Sequence, residues 1–348
     1  MTSFGLLLPH FGGAVAPDRM VDGVRLAEAL GFTSVWVRDH LVYEPHGFEP
    51  GDRSFLEAFT TLAYVAGQTQ QMAVGTGAVI PTRHPLHLAQ TVATLSQLLG
   101  PGRVALGLGA GGSDREMEVV GLGAGRAEVV RRQAELLRRL WAGEAASSDD
   151  PDHRLRGVSL RPPSAGRVPL LYCGGTPAAV RLAADTFDGW LPGRITLPTL
   201  AARLADLRAR FSARGAAPIV GMIPLTSVGA SAEEALAGID LQALLDAANR
   251  QRFWVRPPSG RFESADDLAG SLLAGSPEEV AGQVRSVTDL GLDLLVFDLR
   301  LRFRDWEGQL RLLGEEVLPL VQPTVPARVT GPAPDCWPIR PPVAGSDG

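Results

Sequence analysis

The sequence predicts an α/β protein: one (β/α)8 TIM barrel with insertions after the fourth and seventh strands. Three observations carry this. Short β-like runs alternate with helical apolar periods from end to end. The alternation repeats eight times. The length, 348 residues, suits one barrel of roughly 250 residues with added loops. Strict alternation implies parallel strands joined by right-handed crossovers, and eight repeats favour closure over an open sheet.

Phe4–Leu8 reads as the first strand, followed by a helix with Met20, Val24 and Ala27 on one face and Gly31 as its stop. Thr33–Arg38 is the second strand. The next helix is expected to open at Ser54, three residues before Glu57, a capping-box spacing, with Phe55, Phe59, Leu62 and Ala66 as its apolar stripe. Met72–Ile80 is the third strand, and its helix runs from Pro85 to Leu99 before Gly100-Pro101. Arg103–Leu108 is the fourth, followed by a helix through Val129, Leu136, Leu137 and Leu140 that stops at Gly143. Residues 143–167 form the first insertion, a loop or hairpin. Val168–Cys173 is the fifth strand, with a helix from Pro177, and Phe187–Leu191 is a short sixth. A helix with Leu200, Leu204, Leu207 and Phe211 precedes the seventh strand, Pro218–Val228. Residues 230–275 are the second insertion. Ser276-Pro-Glu-Glu279 is a capping box with Pro at the first helical position. Leu294–Leu299 is the eighth strand, and Leu310, Leu313, Val317 and Leu320 mark the last helix. The barrel is thus expected over 1–322, and the Pro- and Gly-rich 323–348 is expected to be a disordered tail.

Composition narrows the function. The net charge of −5 offers no basic field for nucleic acid or an anionic membrane. No apolar run reaches the ~18 residues of a membrane span, and the apolar N-terminus reads as a strand rather than a signal peptide. Two cysteines build neither a disulfide framework nor a zinc cluster, and a reducing, cytoplasmic setting is expected. All 33 basic residues are arginine. Lysine-dependent chemistry, whether Schiff base or Walker A, is therefore excluded.

Barrel active sites lie past the C-terminal strand ends. After the second strand stands Arg38-Asp39-His40. Alternation places Trp36, Arg38 and His40 inward and Asp39 opposite, and an imidazole there suits proton transfer near neutrality. The plainer alternative is that Asp39 caps a turn and His40 packs. Gly75-Thr-Gly77-Ala78 in the third strand signals a bulge or close approach of a ligand. The glycine loop containing Gly107, Gly109, Ala110 and Gly111, and the turn Gly174-Gly175-Thr176 ahead of a helix, are candidate phosphate cradles; tight turns are the alternative. His84 and His87 are three apart but lack a third ligand, so a cap or a contact with a cofactor chain is expected rather than a metal site. Arg250, Arg252, Arg256 and Arg261, with Trp254, form either a cationic lid over an anionic ligand or a solvated loop.

In this order, Ser34–His40, Gly75–Pro81, Arg83-His84-Pro85, Gly102-Arg103, Leu106–Gly111, Glu116, Gly121, Arg126, Leu140-Trp141, Gly174-Gly175, Asp188-Gly-Trp190 and Gly275–Glu279 resemble the luciferase-like monooxygenase family, more closely its F420-dependent branch. The resemblance runs from about Phe4 to Val321. It implies a flavin-type oxidoreductase with its cofactor at the barrel mouth and the ring against the third strand, where a non-proline cis peptide is expected at Gly77–Ala78. The cofactor's phosphate-bearing tail would follow the two glycine loops. It implies that His40 handles the proton accompanying hydride transfer and that Asp39 contacts the cofactor or holds the loop; with no lysine to grip an anion, Arg115 is a candidate anion partner. Gly112 stands where some sugar-phosphate and alcohol dehydrogenases of the branch carry glutamate and many other members tryptophan, which argues against a sugar phosphate as substrate. The expected cofactor is coenzyme F420, with hydride passing to or from C=C, C=O or an alcohol of a small molecule. The alternative is an FMN-dependent monooxygenase with a separate flavin reductase; further alternatives are a non-catalytic flavin-binding protein and a phosphate-binding isomerase or lyase. A homodimer is expected from related barrels.

Overall fold

A computed structural model describes residues 2–49, 51–121, 125–149, 153–322 and 337. Twelve strands occur among them: β1 (Ser3–Leu7), β2 (Ser34–Val37), β3 (Ala73–Val79), β4 (Val104–Leu108), β5 (Ala146–Ser148), β6 (Leu155–Val158), β7 (Leu170–Tyr172), β8 (Gly189–Trp190), β9 (Ile219–Met222), β10 (Leu225–Val228), β11 (Leu272–Gly275) and β12 (Leu294–Phe297). The helices are α1 (Pro17–Ala29), α2 (Ala58–Ala66), α3 (Pro85–Leu99), α4 (Asp114–Val119), α5 (Arg126–Trp141), α6 (Pro177–Thr186), α7 (Leu197–Ala213), α8 (Ala232–Leu236), α9 (Leu241–Asn249), α10 (Pro277–Thr288), α11 (Trp306–Arg311) and α12 (Leu318–Val321), the last two joined by a π-helical turn, Leu312–Val317.

Eight strands close into a barrel in the order β1-β12-β9-β8-β7-β4-β3-β2, and every barrel pairing is parallel. Strands covered by helices on one face and packed inside on the other must be apolar throughout. Val35, Val37, Leu106, Leu170, Leu171, Leu295 and Val296 are accordingly inaccessible to solvent. Glycines let large side chains meet at the axis. A Cβ at Gly75 would stand 2.5 Å from the Trp36 ring, and one at Gly77 2.5 Å from Ile223 Cδ1.

The first insertion contains the antiparallel hairpin β5–β6. The expected seventh strand is broken. β9 stays in the barrel, while β10 turns out to pair with β11 in a separate two-stranded sheet. Pro224 between them has no amide to continue the ladder. The capping box at Ser276 and Glu279 is present. The one expected at Ser54 is not. α2 starts at Ala58, with the Glu57 side chain accepting the Thr60 amide. Asp52 takes the Ser54 amide instead, and Phe55 bridges to Phe11. Of the segment expected to be a tail, Trp337 is buried edge-on against Trp36; the rest lies outside the described residues. No helix among the described residues is long and apolar enough to cross a membrane.

Candidate active site

A cavity of about 280 Å³ opens at the C-terminal strand ends, near the lower end of the ~300–1,000 Å³ usual for small-molecule sites. Leu7, Gly77 and Ile223 form its floor, Arg38, Asp298 and Arg300 one wall, and Gly175 and Thr176 another. The second insertion covers it, through Leu244, Ala247 and Ala248 of α9 and then Gln251, Phe253 and Trp254. Of the two readings of the arginine-rich stretch, a cationic lid or a solvated loop, the cavity lining does not support the lid. Arg250, Arg252, Arg256 and Arg261 do not line the cavity, and Arg256 is turned back onto Asn249 and Gln251. The cations facing the cavity are Arg38, Arg194 and Arg300.

The Gly77–Ala78 peptide is cis, and the register of β3 against β4 shifts between Thr76 and Val79. The third strand therefore bulges where Gly77 presents bare backbone to the cavity. Gly175 faces the same space, with no atom within 4 Å of the position a Cβ would take. Thr176 caps α6 by accepting the Ala179 amide, and Gly174 gives its carbonyl to the Trp190 indole.

The other glycine loop is differently used. Gly107 belongs to β4. Its amide donates to Thr76 Oγ1, and a Cβ there would stand 2.8 Å from Cys173 Sγ. The Gly109 amide donates to Val79 O at 2.9 Å. Neither amide is left to cradle a phosphate, so wall packing accounts for both glycines. Ala110 is half-buried beyond the strand end. Gly111, at φ 75°, turns the chain over Met117 toward α4. Arg115 of α4 is an exposed rim residue paired with Glu44.

His40 is part-buried just behind the cavity wall. Its Nδ1 lies 3.0 Å from Glu116 Oε2 and its Nε2 3.2 Å from Arg38 Nη2. A guanidinium only donates. Nε2 is therefore the acceptor and Nδ1 carries the hydrogen, donated to Glu116. Glu116 is fully buried, and its other oxygen accepts the Leu41 and Val42 amides. Burial pushes its carboxyl up, but His40 and these amides outweigh burial and hold it below the usual range. Asp39 points the other way, as alternation requires. It accepts from Arg83 and from the Ile80 amide, fastening the segment after β3 rather than lining the cavity. Burial raises its pKa despite the guanidinium.

Along the first wall of the cavity, that of Arg38, Asp298 and Arg300, lies a charge cluster that sequence reasoning missed. Glu49 receives Arg300 at 2.5 Å and Arg38 at 3.2 Å, and Asp298 also pairs with Arg300 at 2.5 Å. Tyr43 OH and the His46 amide complete Glu49. Its members are spread from residue 38 to 300, so no local motif announces them. His84, by contrast, caps α3 as expected, through Nδ1 and the Leu86 amide. Among the described residues no three His, Cys, Asp or Glu side chains are placed to hold a metal ion.

The model of the luciferase-like monooxygenase family matches residues 2–294. The F420-dependent glucose-6-phosphate dehydrogenase of Beutenbergia cavernae is 31% identical over 325 residues, covering 87% of this chain and 93% of its own. Among solved structures, an F420-dependent secondary alcohol dehydrogenase in complex with an F420-acetone adduct superposes with a TM-score of 0.77 at 20% identity, over 92% of this chain and 99% of that one. The oxygenating constituent of 3,6-diketocamphane monooxygenase from Pseudomonas putida, in complex with FMN, does so at 0.68 and 18% identity, over 91% and 98%.

Proposed function

The chain belongs to the luciferase-like monooxygenase family, and from that premise we propose that it is an F420-dependent oxidoreductase moving hydride to or from a small organic substrate. The observation that carries this reading is the imidazole of His40, held by Glu116 in one tautomer at the strand-end mouth, behind a cavity floored by the bulged Gly77. The F420-dependent relatives support the cofactor.

The residues fit such a group. Gly77 and Gly175 leave backbone open to the cavity, and the N-terminus of the ten-residue α6 faces it through Thr176, a favourable place for an anionic tail. When bound, F420 supplies the hydride chemistry. The chain's own residues do the rest. Glu116 orients His40 and balances the charge when a proton arrives at Nε2. Arg38 now occupies that lone pair, so it must yield for substrate to reach the imidazole. Asp39 and Arg83 fix the segment beyond the bulge, and α9 with Trp254 screens the cavity from water.

The sugar phosphate named for the relatives is not carried over, because position 112 holds glycine with open space beside it. A carboxylate still reaches the site, but from Glu116 and onto His40.

Titration of the purified protein with F420 and separately with FMN, read by tryptophan fluorescence, tests the reading. Saturation by F420 at micromolar concentration with much weaker FMN is expected. The reverse order would move the protein to the FMN-dependent monooxygenases of its family.

A further inference from the structure

Three guanidiniums face the cavity and two carboxylates answer them. Glu49 and Asp298 are both engaged with Arg300, and Glu49 also with Arg38. Arg194 has no hydrogen-bond or ion-pair partner among the described residues; its contact is the face of Phe48, 4.3 Å from the guanidinium carbon. Burial first, then the nearby Arg300, pull its pKa down to about 10, so it is a cation at neutral pH. Arg194 is half-buried and lines the cavity, so its guanidinium is free to meet an anion there. Leu244, Ala248, Trp254, Leu268 and Leu272 also line the cavity, with Gln251 and Ser271 among them.

We propose that this cavity selects a substrate with an anionic head, carboxylate or phosphate, on an apolar body, with Arg194 reading the head. The inference rests on the oxidoreductase reading for the reaction but not for the binding. A guanidinium fork meets either oxyanion with two parallel hydrogen bonds. Arg194 is thus a specificity-determining residue, placed on the loop after β8 where it can reach a ligand held under α9.

Four probes separate head from body: phenyl phosphate, benzoate, benzyl alcohol and inorganic phosphate. Each is titrated into the full chain and followed by the fluorescence of its tryptophans, Trp254 lying in the cavity wall. One or both aromatic acids are expected to bind at least tenfold tighter than benzyl alcohol and inorganic phosphate; whichever acid binds identifies the head. Arg194→Gln should weaken that acid at least tenfold, and Arg194→Lys should recover part of the loss. Equal binding of acid and alcohol, or unchanged binding by Arg194→Gln, overturns the proposal. So does inorganic phosphate binding as tightly as phenyl phosphate, which would mark an adventitious ion only. F420 titrated into the same variant separates the two readings. Its affinity should be retained; lost F420 binding with unchanged acid binding would assign Arg194 to the cofactor tail and overturn the substrate role. Acid binding by a wild-type protein that takes no F420 would remove the cofactor reading and leave the anion site standing.

Discussion

Glu116 Oε2 lies 3.0 Å from Nδ1 of His40, while Glu116 Oε1 accepts the Leu41 and Val42 amides at 2.5 and 3.0 Å. One buried carboxylate thus sets both the tautomer of the imidazole and the path of the backbone carrying it. Glu116→Gln keeps an acceptor but removes the charge that balances an arriving proton. Its kcat should fall about 10- to 100-fold, part of the ~10²–10⁴ that a positioned acid or base supplies, with KM and F420 affinity little changed. Steady-state kinetics beside a cofactor titration measures the split. A rise in KM at unchanged kcat would show that Glu116 only packs.

Glu49 joins Arg38 to Arg300. Burial pushes its carboxyl up, but Arg300 and Arg38 outweigh burial and hold it down to about 2. Glu49→Gln leaves two guanidiniums with one carboxylate, and breaking a buried pair in this way costs about 3–5 kcal/mol. A urea melt at pH 7 reads this loss. Because the folded pKa is depressed, the stabilisation is present above the ordinary value of 4.5 and is lost as pH falls toward 2. The variant should lack that acid-dependent loss, and parallel curves for the two proteins would remove the role.

What the sequence made legible follows from range. The barrel strands are continuous apolar runs, and the caps at Ser276 and Thr176 span a few residues, so both could be read locally. Asp39 and His40 could be placed on opposite faces from alternation alone. The misread start of α2 is also local: Ser54 and Glu57 have the right spacing, but Asp52 and Phe11 capture that segment first. Glu116 escaped as a partner for His40 because α4 has six residues, too few for a periodic pattern. The Arg38–Glu49–Asp298–Arg300 cluster and the unpaired Arg194 exist only once β1, β2, β8 and β12 share a mouth. The arginines of 250–261 looked functional because they were dense, yet the side chains that meet the cavity there are Gln251, Phe253 and Trp254.

His10 is fully buried with each ring nitrogen against a carbonyl oxygen, Leu8 O at 2.9 Å and Arg38 O at 3.1 Å. A neutral imidazole can donate to only one of them. Burial nonetheless pushes its pKa down from 6.5 to about 4, with Arg38 and Arg300 adding to the shift and the two carbonyls opposing it. Burial likewise lowers His46 to about 4. For a depressed histidine the unfolded chain binds the extra proton, so stability is full above about 6.5 and falls as pH drops toward 4. His10→Gln, which keeps a side-chain amide beside both carbonyls, should flatten this slope in part, leaving the shares of His46 and His84. Guanidinium melts at several values across that window test it; an unchanged slope would exclude His10 as the group responsible.

Trp337 is the described residue of the C-terminal segment, and it is 2% exposed. The chain leaves the last helix at the N-terminal end of the barrel, where Gln322 Nε2 donates to Thr2 O at 2.7 Å. Trp337 then packs edge-on against Trp36, ring centroids 5.5 Å apart. Trp36 in turn lies over Gly75 and donates its indole hydrogen to Ser34 Oγ at 2.9 Å. The bare glycine and the small serine leave room inside the barrel that a second large ring can occupy. The Trp337 indole nitrogen is buried without a hydrogen-bond partner among the described residues, a cost of about 1–3 kcal/mol that ring burial must exceed. Replacing a buried tryptophan by alanine typically costs about 3–5 kcal/mol. Trp337→Ala should therefore destabilise the chain by roughly that amount less the relieved indole penalty, a net of about 2 kcal/mol, and should shift the emission of Trp36. Truncation after Gln322 should do the same. If both variants melt with the wild type and their emission is unchanged, Trp337 does not seat in the barrel in solution.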